Sequence, residues 1–201
     1  MSLLDLLHAE AMARGIIEPT AKIDAALAFA LVRDMPYLRA SSREPQTIIR
    51  EWRGTCSGKH YLLQALFAEL GLRAQVVACT TEIHIDPEEA PIALRAILQR
   101  SGGRIVDVHN YLVLKLPAGD MIVDATWPTS AKDWGLTANE SFTLGENQSI
   151  ACTPLKTWLV PDGHDPQEFK EALLRKNFSP EELAHRDEFI RTLGLLLRQR
   201  Q

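Results

Sequence analysis

Gly54-Thr55-Cys56-Ser57-Gly58-Lys59-His60-Tyr61-Leu62-Leu63-Gln64-Ala65-Leu66-Phe67-Ala68-Glu69-Leu70-Gly71 is the stretch on which the fold turns. Leu62, Ala65, Leu66 and Leu70 fall at i, i+3, i+4 and i+8, and Leu63 and Phe67 widen the apolar face, so the run predicts an amphipathic helix. Gly54 breaks the chain ahead of it, and Gly71 suits a left-handed C-terminal cap. Cys56 therefore stands at the N-terminal end of this helix. A thiol is a nucleophile only as the thiolate, and a helix N-terminus with an imidazolium nearby lowers its pKa from about 8.5 into the range of about 3.5–7.5.

Upstream of this helix the pattern is helical. Ser2 is placed to cap a helix running to about Arg14 and stopped by Gly15. Thr20 is the expected cap of a second, carrying Ile23, Leu27, Phe29, Leu31 and Val32 until Pro36. Pro45 suits the first turn of a short helix through Trp52. Downstream of Gly71 the period changes. Ala74 to Thr80 reads as a buried strand, residues 87–99 as a helix closed by Ser101-Gly102-Gly103, and Ile105–Leu116 and Met121–Thr126 as strands around a Pro117-Ala118-Gly119-Asp120 turn. Residues 128–160 show little periodicity beyond one strand at Leu155–Val160. Two helices close the chain, the last opened by Ser179, Pro180 and Glu182 as N-cap, N1 and capping-box residues. The expected fold is α+β, a nucleophile helix packed on an antiparallel sheet. A single domain is expected over residues 1–201, with N-terminal helices in 1–44, a core at about 45–128 and a C-terminal helical extension at about 161–201.

Composition narrows the function classes. The 201 residues are 46% hydrophobic and 24% charged, ordinary globular proportions for one sizeable core. A net charge of −4, with basic residues scattered among acids, gives no footprint for nucleic acid. The longest apolar run is Ala25 to Val32. It is far short of the roughly 20 residues that a membrane span needs. Three cysteines at 56, 79 and 152 are an odd number at wide spacing, and Asp5 and Glu10 stand where a secretion signal would be basic and then apolar. The expected compartment is the reducing cytoplasm, with Cys79 and Cys152 structural. Gly54 to His60 has the flavour of a phosphate-binding loop. It has three residues between its glycines instead of four, His where Ser or Thr should bind magnesium, and no preceding strand. Cys56, His60, Cys79, His84 and His109 lack the short pairing of zinc ligands. Neither cofactor nor metal is expected, and the oligomeric state is not legible.

Chemistry gathers on Cys56, then His109 in the strand-like run, then Asp124 near the end of the next. In a hairpin with an even loop, paired residue numbers add to an odd value, so Asp124 lies opposite an odd-numbered residue and shares a face with His109, Tyr111 and Val113. A carboxylate bonded to one ring nitrogen sets the tautomer of an imidazole and leaves the other nitrogen to face the thiol. His60, at i+4 from Cys56, reaches the same helix face and is the rival to His109.

Gly54-Thr55-Cys56-Ser57, His109-Asn110 and above all Val123-Asp124-Ala125-Thr126-Trp127 resemble the transglutaminase-like superfamily, a branch of the papain-like cysteine enzymes. The resemblance spans about residues 45–128. It implies an α+β fold and a triad of Cys56, His109 and Asp124. Two positions depart from the common pattern: Tyr111 stands where many members have Trp, and Ser57 stands where many have Trp directly after the cysteine.

Members hydrolyse amides, transfer acyl groups to amines, or have lost activity. Amide or peptide hydrolysis through an acyl-enzyme is the first expectation, acyl transfer to an amine the second, and a silent protein-binding module the third. The expected substrate is a peptide, amide or acyl thioester, with Trp52, Thr55, Tyr111 and Trp127 as candidate substrate-binding residues. The Cys56 amide is a natural oxyanion donor, and Arg50, Trp52 and Thr55 are close enough in sequence to help. Residues 81–104 are expected to form a lid or substrate wall, with Ile92, Ala93, Ala96 and Ile97 as the apolar set of its helix.

Overall fold

The computed structural model describes residues 1–198. They form an α+β fold of seven α-helices, a short 3-10 helix at Thr129–Trp134 and one antiparallel sheet. The helices are α1 (Leu3–Ala13), α2 (Ala25–Asp34), α3 (Pro45–Glu51), α4 (Cys56–Glu69), α5 (Ile92–Arg100), α6 (Pro166–Asn177) and α7 (Pro180–Arg198). The strands are β1 (Ala74–His84), β2 (Arg104–Leu116), β3 (Gly119–Val123) and β4 (Lys156–Leu159), in sheet order β3-β2-β1-β4. The chain gathers into two compact units. One holds Met1–Val76 and Tyr111–Ala151; the other holds Val77–Asn110 and the chain from Cys152 onward.

In the first unit, local capping chemistry sets the starts of α1 and α2. The Ser2 hydroxyl accepts from the Asp5 amide at 3.0 Å while the Asp5 carboxylate accepts from the Ser2 amide at 3.1 Å, a complete capping box. The next open amides, those of Leu3 and Leu4, donate to the Glu69 carboxylate at 2.8 and 2.9 Å, so the last residue of α4 holds the start of α1. Thr20 does not cap α2. Asp24 does, its carboxylate accepting from the Leu27 amide at 2.8 Å, and the helix begins later than the sequence suggests, at Ala25. Pro45 opens α3 as expected, and α3 ends on Trp52 in the left-handed conformation, φ 50° and ψ 47°.

The helix α4 is the centre of this unit, packed by α1, α2 and α3. Every residue from Cys56 to Leu63 is buried, so its N-terminal half has no solvent face, in place of the single apolar stripe expected. Gly58 makes this possible: a Cβ there would lie 2.7 Å from Ile48 Cδ1, closer than two carbons approach. Phe142, from the irregular segment after the hairpin, sits 5.5 Å from Phe29 and 5.6 Å from Phe67 between ring centroids. The hairpin pairs Leu112 with Val123 through to Leu116 with Gly119, the odd parity expected, and leaves Asp124 one residue beyond the last pair.

In the second unit β4 pairs antiparallel with β1 from Val77↔Leu159 to Thr80↔Lys156. The strand β1 runs on to His84, beyond the expected end at Thr80, and α5 begins at Ile92, later than the expected 87. The face of α5 also differs. Leu94, Ile97 and Leu98 are buried with Ala90, Ile105 and Phe189 of α7, whereas Ile92, at 83% exposure, Ala93 and Ala96 face outward. The period of 3.6 fits both faces, and contact with α7 chose between them. A second cluster joins Ala78 and Val108 to Leu173 and Leu174 of α6. Arg186 of α7 donates to Asp107 of β2 at 2.5 Å; burial alone would raise the Asp107 pKa, but Arg186 and Lys170 outweigh it and hold the carboxyl below its ordinary value. Ser179 and Glu182 form the expected capping box at the start of α7, with bonds of 2.7 and 3.2 Å. Among the described residues, no helix is long and apolar enough to cross a membrane.

Candidate active site

Cys56 is the first residue of α4 and is 2% exposed. Thr55 is the N-cap residue in extended conformation, yet its side chain accepts none of the first-turn amides, so the positive end of the helix is not answered from that position. The Cys56 Sγ lies 3.9 Å from Ser57 Oγ. Thr55 and Gly58 also line a surface depression with Arg39, Ala40, Ser42, Arg43 and Ile48.

His60, one turn along the same helix, is fully buried. Its Nε2 accepts from the Ala125 amide at 2.9 Å, and its Nδ1 lies 2.7 Å from the Cys56 carbonyl oxygen. An amide N–H only donates and a carbonyl only accepts, so the ring proton sits on Nδ1 and the ring is neutral. The Asp124 Oδ1 at 3.6 Å from Nε2 is therefore no ion pair. Nε2 ties α4 to the chain after β3, while Nδ1 bonds back within α4.

Asp124 is buried and is held from four sides. Its Oδ1 accepts from the Thr126 amide at 3.0 Å, an Asx turn that shapes the start of Ala125-Thr126-Trp127. Its Oδ2 accepts from the Ala151 amide at 2.8 Å. Its own amide donates to Gln148 Oε1 at 2.9 Å, and its carbonyl accepts from Asn139 Nδ2 at 2.9 Å. Gln148, Asn139 and Ala151 come from the irregular stretch after residue 128, where no periodicity advertises them.

Lys59 is a site residue that the sequence reading missed. Its side chain is wholly buried, and Nζ donates to the Arg33 carbonyl at 2.7 Å and the Thr126 carbonyl at 3.0 Å. Burial drives its ammonium from the ordinary lysine range down to about 7, and Arg33 adds to that, while Asp34, Asp124 and Cys56 pull in the opposite direction. A signal for it exists: Lys59, Leu62, Leu63 and Leu66 fall at i, i+3, i+4 and i+7, which puts the lysine inside the apolar stripe.

The other candidates are distributed as follows. His109 lies on β2 in the second unit and is buried, as is Asn110, whose Nδ2 donates to the Val77 carbonyl at 3.4 Å. Cys56, Asp124, Tyr111 and Trp127 belong to the first. Tyr111 is buried on β2. Trp52 is buried with the Arg14 guanidinium 5.2 Å from its ring centroid, which commits its face to packing with α1. Trp127 packs on Tyr37 at 4.3 Å between centroids, and its indole Nε1 and the neighbouring Thr126 Oγ1 are buried without a hydrogen-bond partner. Among the described residues, no group of three or more His, Cys, Asp and Glu side chains is gathered as a metal ion would require.

No protein-family model, no curated protein and no solved structure matches the chain.

Proposed function

We propose that the chain is a cysteine-dependent acyl-transfer enzyme of the transglutaminase-like type, with Cys56 as nucleophile, His109 as acid and base, and Asp124 as the carboxylate that orients it. The observation that carries this reading is that Cys56 opens α4 while His60, one turn along, bonds both the Cys56 carbonyl and the Ala125 amide directly after the buried Asp124. His60, the rival histidine, has both ring nitrogens engaged with the backbone and none left for the thiol. His109 takes the imidazole role in this reading because the family resemblance implies it.

In this scheme the Cys56 thiolate adds to the acyl carbonyl carbon, and the oxygen takes the electron pair and becomes an oxyanion facing the Cys56 amide. Collapse of the adduct expels an amine that takes its proton from the His109 imidazolium. Water, or an amine acceptor, then adds to the thioester, giving up a proton to the now neutral imidazole and releasing Cys56 as thiolate. Hydrolysis of an amide or peptide is the preferred outcome. The Trp127 indole N–H, buried without an acceptor, is the best candidate for the second oxyanion donor.

A silent protein-binding module is the second reading, favoured by the 2% exposure of Cys56. Incubation with activated esters, thioesters and anilides, followed by mass mapping, separates the two. The enzyme reading expects an acyl group on Cys56 and turnover that vanishes in a folded Cys56→Ala chain. Absence of acylation across the panel, or turnover that persists in Cys56→Ala, supports the module.

A further inference from the structure

Cys79 and Cys152 are 73 residues apart in sequence, yet their sulfurs lie 3.9 Å from each other. Nothing in the sequence spacing of the three cysteines singles out this pair; the fold does. All three cysteines carry thiols in this structure. The backbone around the pair is already secured: the Leu155 amide donates to the Thr80 carbonyl at 2.8 Å, and Thr81 Oγ1 donates to the Thr153 carbonyl at 3.0 Å. Cys79 lies within the paired part of β1, opposite Thr157 of β4. The chain carrying Cys152 is thus held along β1 on the side of its next residues. A bond requires the sulfurs to close from 3.9 Å to about 2.0 Å, the scale of a side-chain torsion. Access is asymmetric, since Cys79 is fully buried and Cys152 is partly exposed. That is the arrangement of an attacking thiol at the surface with a resolving thiol beneath it.

We propose that Cys79 and Cys152 form a redox-active dithiol, which a low-molecular-weight disulfide closes reversibly and which thereby clamps the segment beginning at Ala151. The Cys152 thiolate attacks one sulfur of the oxidant, forming a mixed disulfide and releasing one thiolate. The Cys79 sulfur, giving up its proton, attacks Cys152 Sγ, the mixed disulfide breaks, and the second thiolate leaves. The oxidant is reduced to two thiols, and the protein loses two hydrogens. The consequence is local to Asp124: the residue directly before Cys152 is Ala151, whose amide donates to the Asp124 carboxylate at 2.8 Å. A covalent tie at residue 152 restricts the excursions that open that bond. None of this requires Cys56 to be a nucleophile.

The test is titration of the folded full-length chain with oxidised glutathione, trapping of remaining thiols with iodoacetamide, and peptide mapping. The expected product is an intramolecular Cys79–Cys152 link that dithiothreitol reverses, with Cys56 in no disulfide. Cys79→Ala is expected to stop at a glutathione adduct on Cys152, and Cys152→Ser to form neither adduct nor link. Absence of the link in the parent chain, or a link through Cys56, overturns the dithiol. Amide hydrogen exchange reads the clamp: the Ala151 amide should exchange about tenfold more slowly in the linked form. An unchanged rate overturns the clamp, whatever becomes of the acyl-transfer reading.

Discussion

Asp124 makes two backbone bonds before any catalytic one, and this alters what its amide analogue measures. Its two carboxylate oxygens each accept from an amide, that of Thr126 on one side and that of Ala151 on the other. Asparagine offers one oxygen and one NH2, so one of those buried amides must face a donor. Asp124→Asn is expected to lose about 1–3 kcal/mol of stability, the cost of an unsatisfied buried group, read as a lower urea midpoint. A midpoint equal to the parent's would show that the two bonds contribute nothing net. A cleaner probe of chemistry is Trp127→Phe, which keeps the ring on Tyr37 and removes an N–H that has no partner to lose. Stability should hardly change. If that N–H serves the oxyanion, kcat falls by about 10²-fold on the best acyl donor with Cys56 alkylation unaffected; full kcat would restrict Trp127 to packing.

At the scale of elements, the close approach of α3 and α4 depends on one missing methyl group. Gly58 faces Ile48, which is fully buried, so Gly58→Ala forces the Ile48 side chain to move. Overpacking of this kind costs about 1–3 kcal/mol, and better helix propensity returns at most about 1 kcal/mol. The expected net effect is a loss of about 1 kcal/mol in thermal or urea unfolding. Trimming the other side, Ile48→Val in the Gly58→Ala background, should recover part of it. Two losses that simply add would place the strain elsewhere. This contact also explains why α4 was legible as a helix but not as the buried axis of its unit. The spacing of Leu62, Leu66 and Leu70 reports a period, whereas burial on every side comes from α1, α2 and α3 arriving from elsewhere in the chain.

For the whole molecule, the buried Lys59 links folding to pH. Its folded pKa of about 7 lies below the unfolded value of about 10.4, so between those values the unfolded chain binds a proton that the folded chain does not. Stability from this group therefore rises as pH rises from about 7 to about 10, and the penalty for burying the charge is fully present below about 7. Lys59→Met removes the group, and the difference between parent and variant urea midpoints should shift in favour of the parent across that range; a difference independent of pH would refute the assignment. The two carbonyl bonds survive deprotonation, because a neutral amine still has two N–H groups to give.

The features that could be read before folding are local ones. The Ser2 cap, the capping box at Ser179, the Pro45 start of α3, the Gly71 stop of α4 and the odd-numbered register of the hairpin all follow from residues within a few positions of one another, so their signals survive in one dimension. Thr20 shows the limit even there, since Asp24 offered the same capping chemistry and won. The tautomer of His60, the burial of Lys59, the amides on Asp124, the inner face of α5 and the meeting of Cys79 with Cys152 came from packing alone. Each joins groups from distant segments, as with His60 and Ala125 across 65 residues. A hydrogen bond or sulfur contact at that separation leaves no period and no motif behind it, because it depends on where packing of the intervening elements brings the chain back.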